Sequence, residues 1–182
     1  MRCIPFMLFL TLLLVGCQTE PKTTDTAEST PVANLSKSQL GEKIAETRLQ
    51  IYDQKTNSFN RAAANNYIAY CEQYATVASD DPEAVKYLFQ AGETARSVQQ
   101  HDRALAIYDR IYKDFSSSPK APQALFLKAF TMDNDMKQPE KARAIYEEFV
   151  AKHPEDDFAD DTKFLLENLG KSDEEIIKKF EQ

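Results

Sequence analysis

The sequence predicts an all-α fold: a short solenoid of about two to three helix-turn-helix repeats, finished by C-terminal capping helices. Three observations predict it. The chain has only four glycines and no tryptophan in 182 residues, and it is rich in Ala, Lys, Glu, Gln and Leu, which lose little on entering a helix. Apolar residues recur at three- and four-residue spacing, and no run of alternating β-branched residues suggests a sheet. One stretch also returns: "RALAIYDRIYKDF" (103–115) is echoed by "KARAIYEEFVAKHP" (141–154), so that Ala104, Ile107 and Tyr108 recur as Ala142, Ile145 and Tyr146.

The chain opens on "MRCIPFMLFLTLLLVGC", with a basic start at Arg2 and an apolar run, broken only by Pro5 and Thr11, that reaches Val15. Roughly twelve apolar residues are too few to span a bilayer stably and suit the apolar region of a signal peptide. Leu14-Val15-Gly16-Cys17 resembles the lipobox of bacterial lipoproteins. The resemblance implies a signal peptide over 1–16, cleavage before Cys17 and lipidation of that residue, and several chains on one residue anchor durably. Gln18 follows; an Asp there favours inner-membrane retention in enterobacterial lipoproteins, so the resemblance implies an outer-membrane lipoprotein, expected to face the periplasm. An uncleaved hydrophobic anchor is the alternative. Cys3 then leaves with the signal peptide and Cys17 is modified, so Cys71 is left without an intramolecular disulfide partner.

Residues 18–35 are rich in Thr, Ser, Pro and Glu and hold too little apolar surface to offset the entropy of ordering. Positions 17–37 therefore read as lipidated cysteine plus flexible linker. The repeat domain is expected over 38–170 and a C-terminal helix over 171–182.

Within the domain, 38–54 and 59–78 form one predicted helix pair. "DDPEAVKYLFQAGETARSVQQ" starts with Asp81 at the N-cap and Pro82 in the first turn, both helix-start signals. "HDRALAIYDRIYKDF" follows, then "SPKAPQALFLKAFTMDND" from Ser118 and Pro119, then "QPEKARAIYEEFVAKH". "DDFADDTKFLLENLG" ends on Gly170, a stop signal. "SDEEIIKKF" opens with Ser172 and Glu175 at capping-box spacing. Short connections make these helices antiparallel neighbours.

The first helices of the two clearest pairs align at an offset of 37 and the second helices at 38, which places one extra residue in the turn near Met136–Pro139. A two-helix repeat of this length resembles the tetratricopeptide repeat (TPR). One repeat supplies Leu88, Ala91, Gly92, Ala95, Ala104 and Tyr108 to the family pattern, and the next supplies Leu125, Ala129, Met132, Ala142, Tyr146 and Pro154. Leu stands where the family has Trp, Lys128 takes an apolar place, Ser116 replaces a Pro, and Asn66 stands where Ala is expected upstream. With the lipobox, the chain is similar to helical-repeat lipoproteins of Gram-negative envelopes. Physically, small residues at Gly92, Ala104, Ala129 and Ala142 mark where helices cross closely. The aromatics one turn later are expected to fill the space between hairpins, and 155–168 to cap the stack.

Net charge is −7, which disfavours nucleic acid as a partner because phosphate contact calls for a basic face. No catalytic set stands out. His101 and His153 fall at predicted helix ends without a ligand-spaced partner, and Cys71 reads as a buried small apolar residue. "EDDFADD" lacks the alternating oxygens and glycine of an EF-hand loop, and no phosphate-cradling glycine loop is present. The expectation is therefore no enzyme, no metal and no cofactor.

The TPR resemblance implies a groove lined by the first helix of each repeat: Lys86, Phe89, Glu93, Arg96 and Ser97, then Gln123, Phe126, Phe130, Asp133 and Asn134. Phe89, Phe126 and Phe130 are candidate apolar anchors for a peptide segment, or else core between repeats. The function expected is a membrane-anchored scaffold that binds another envelope protein or peptide segment. A small-molecule-binding or enzymatic lipoprotein and an oligomeric spacer are the alternatives.

Overall fold

The structure, a computed structural model, describes residues 34–180. The signal peptide, Cys17 and most of the linker lie outside the described residues. Helices α1 (Lys37–Gln50), α2 (Arg61–Val77), α3 (Pro82–Ser97), α4 (His101–Asp114), α5 (Lys120–Phe130), α6 (Pro139–Lys152), α7 (Ala159–Asn168) and α8 (Asp173–Phe180) follow in order. From α1 to α7 each helix packs on the next, giving an all-α, TPR-like solenoid of three stacked hairpins with α7 laid over the last.

The start signals act as the sequence suggests. Asp81 caps α3 by accepting from the Glu83 amide at 2.9 Å; a further reciprocal capping box, of Ser36 and Gln39, starts α1. Ser172 and Glu175 cap α8 reciprocally, at 2.8 and 3.3 Å. Each satisfies amide donors that a helix start leaves open.

Two expectations are corrected. The predicted 38–54 helix stops at Gln50. The chain then forms an antiparallel hairpin of strands β1 (Tyr52–Asp53) and β2 (Ser58–Phe59), with Tyr52 opposite Phe59. Its tight loop is set by Asp53, whose carboxylate accepts from the Lys55 and Thr56 amides, and by Asn57 at φ 53°. Asn tolerates that left-handed conformation better than most residues. The second correction concerns the extra residue of the third hairpin. It does not lie in the turn: Gln99 and Lys137 are matched left-handed residues (φ 64° and 55°), each two places before the next helix. The insertion is taken up inside the helix, as a π turn over Thr131–Asp135. Val98 donates to Thr94 four residues back, whereas Met136 donates to Thr131 five back. A single π turn is the ordinary way a helix absorbs one inserted residue.

The core lies between the hairpins. Tyr108, Tyr146, Phe149, Leu88 and Leu125 are among its largest fully buried side chains. Tyr108, expected at the seam between hairpins, lays its ring on Gly92 of its own hairpin, and Asp135 of the next hairpin acts on its hydroxyl. Lys128, out of place in the repeat pattern, reaches Asp109 of α4 at 2.6 Å, so a partly buried cation is paired.

Candidate functional site

α1, α3 and α5 with its π turn are the first helices of the three hairpins. Glu93 and Ser97 of α3 sit where two clefts meet. One, of about 420 Å³, runs toward α1 and α2 between Arg48, Tyr67 and Gln90. The other, of about 500 Å³, is the central cleft, lined by Glu93, Arg96, Ser97, Gln99, His101 and Asp135.

Arg96 organises the central cleft. It donates through Nε and Nη2 to the carboxylate of Asp135, the second of these bonds at 3.3 Å. Its guanidinium also lies 4.8 Å from the centre of the Phe130 ring, a cation–π arrangement. The Asp135 bond raises the pKa of Arg96. Burial pushes the Asp135 carboxyl up, but the Arg96 and Asn134 hydrogen bonds outweigh it and hold the group below the usual range. The pair ties α3 to the π turn, so one repeat fixes the register of the next.

Two tyrosine hydroxyls lie below this surface without hydrogen-bond partners, Tyr108 and Tyr146. Both residues are 0% exposed, and burial raises the pKa of each. Glu93, Arg96 and Asp135 act on Tyr108, whereas Asp133 and Arg96 act on Tyr146. His101 Nδ1 is also buried and unpartnered. Buried polar atoms normally find a partner; of these three residues, His101 lines the central cleft.

The structure divides the ten sequence-predicted groove residues. Glu93, Arg96 and Ser97 line the central cleft. Asp133 and Asn134 line another, against Phe164, Leu165 and Leu169 at the C-terminal end, and burial raises the carboxyl pKa of Asp133. Lys86 pairs with Glu83 at 2.8 Å and faces a fourth cleft, between the starts of α3 and α5. Gln123 accepts from Lys120 at 2.9 Å, and Lys120 Nζ lies 4.6 Å from the half-buried Phe89 ring. Phe126 is core: it is 7% exposed and stacks on Phe158 at 4.7 Å. Phe130 is half-buried beneath Arg96. Gln99, His101 and Asp135 were not legible as site residues. Counting 37 from Arg96 and Ser97 arrives at Asp133 and Asn134, and only the π turn moves Asp135 into their place.

Cys71 is fully buried, and burial pushes its thiol up to about 12; a reactive cysteine needs the opposite shift. His153 packs edge-on to Tyr112 at 6.2 Å. Among the described residues, no group of three or more His, Cys, Asp or Glu side chains is placed to hold a metal ion, and no helix is long and apolar enough to cross a membrane.

No curated protein matches the chain. Residues 123–156 match the family model described as Tetratricopeptide repeat. This span runs from the second turn of α5 through the π turn and α6, so the third hairpin carries a tetratricopeptide repeat.

Proposed function

We propose that this chain is a non-enzymatic scaffold of a Gram-negative envelope, held to the outer membrane through a lipid on Cys17, that binds a segment of another envelope protein. The TPR match supports the scaffold role, since stacked helix pairs form extended binding surfaces. The observation that carries the reading is the pair of adjoining clefts on the first helices, meeting at Glu93 and Ser97. The lipobox-like Leu14-Val15-Gly16-Cys17 motif supports the anchor.

Fractionation of cells expressing the wild-type chain and Cys17→Ser tests the anchor. The wild type is expected in the outer-membrane fraction and the variant in the soluble periplasm. A variant that stays with the membrane refutes lipidation as the anchor. Affinity capture from solubilised envelopes tests the scaffold role, and recovery of no protein above background refutes it.

A further inference from the structure

We propose that the central cleft is a receptor for a basic side chain, lysine or arginine, carried by an extended segment of the partner. This rests on the reading of the groove as a partner-binding face, and it specifies the chemistry of what binds there.

The cleft holds one arginine, but that charge is already used. Arg96 is bound through two nitrogens to Asp135 and covers the Phe130 ring. Glu93 is exposed on α3, and among the described residues no ion pair reaches it. Arg48, on the far wall of the adjoining cleft, makes no ion pair with it. Of the carboxylates and guanidinium that line the central cleft, the one without an ion pair is thus the Glu93 carboxylate.

The unpartnered atoms around it point the same way. The Tyr108 hydroxyl, fully buried, lies in the field of Glu93, Arg96 and Asp135. His101, on the wall of the cleft, has its buried Nδ1 without a hydrogen-bond partner. An ammonium or guanidinium brings three to five donors and the missing charge. A carboxylate brings only acceptors and meets Glu93 as a like charge. At about 500 Å³, the cleft has room for a long side chain and the backbone that carries it.

The test uses the full chain in detergent and a displayed library of random short peptides. Enriched peptides are then titrated by fluorescence anisotropy against wild type, Glu93→Gln, Tyr108→Phe and Glu147→Gln, the last an exposed control on α6. Enriched peptides are expected to share a Lys or Arg. Replacing that residue with Ala, or Glu93 with Gln, is expected to weaken binding about tenfold or more, with far-UV circular dichroism and the control unchanged. Enriched peptides united by acidic or apolar residues, or binding unaffected by Glu93→Gln, overturn the cation receptor and leave the peptide-binding reading standing. A library that yields no binder overturns both.

Discussion

The ring of Tyr108 lies on the backbone of Gly92: a Cβ at that glycine would stand 2.5 Å from Tyr108 Cε1 and 3.1 Å from Cζ. Tyr108 is fully buried, so its ring cannot yield without disturbing α4. Gly92→Ala gains about 1 kcal/mol of helix propensity and incurs overpacking of about 1–3 kcal/mol. The expected net effect is destabilisation by up to about 2 kcal/mol in urea unfolding. A stabilised variant would show that the ring has room to move.

Gln99 and Lys137 close their hairpins in the left-handed region, at φ 64° and 55°. Side chains carry a steric cost there that glycine does not. Gln99→Gly and Lys137→Gly should each stabilise the domain by about 0.5–1 kcal/mol, read as a rise in melting temperature. Loss of stability in both variants would contradict the matched-turn assignment.

Asp81 caps α3 and also gathers Lys37 of α1 and the Tyr74 hydroxyl, the latter at 2.8 Å. The Lys37 contact, the Glu83 amide and Tyr74 together lower its pKa from 3.8 to about 2. A depressed carboxyl contributes stability that is present above its unfolded pKa and lost as pH falls toward the folded value. The contribution should therefore fade between about pH 4 and 2. Urea midpoints across that window are expected to fall more steeply for wild type than for Asp81→Asn, and parallel slopes would refute this role.

The Arg96–Asp135 pair depends on the inserted residue. A double-mutant cycle with Arg96→Met and Asp135→Asn should return a coupling of about 1 kcal/mol, within the range for partners in contact. Deleting Asn134 gives the third hairpin the same helix-and-turn spacing as the second. The shortened chain should keep its helical circular dichroism while the coupling falls to near zero. A coupling that survives deletion would mean that the π turn does not aim Asp135.

Much of this fold is written in local signals. Asp81, Pro82, Ser172 and Gly170 mark helix ends because each satisfies or terminates a backbone ladder by itself. The return of Ala104 and Tyr108 as Ala142 and Tyr146 exposes the stacking, because each hairpin repeats one packing problem. The β hairpin was illegible, since two-residue strands are too short to alternate and depend on Asp53 and Asn57 in the loop. The site was only half legible. A one-residue offset shows that something is inserted, yet turn and helix accommodate it equally well on paper. Only the hydrogen bond from Met136 to Thr131 decides between them. That choice hides Asp135, and with it the neutralisation of Arg96. Phe126 satisfies the periodicity of groove and core alike, and only its stack on Phe158 separates them.

The first-helix face is proposed to receive a partner. A photo-crosslinking amino acid placed at Ser97, where the two clefts meet, and at Lys113, exposed on α4, tests it in membranes of cells making the full chain. A discrete protein adduct is expected from Ser97 and none from Lys113. The same adducts from both positions, or none from Ser97, would contradict it.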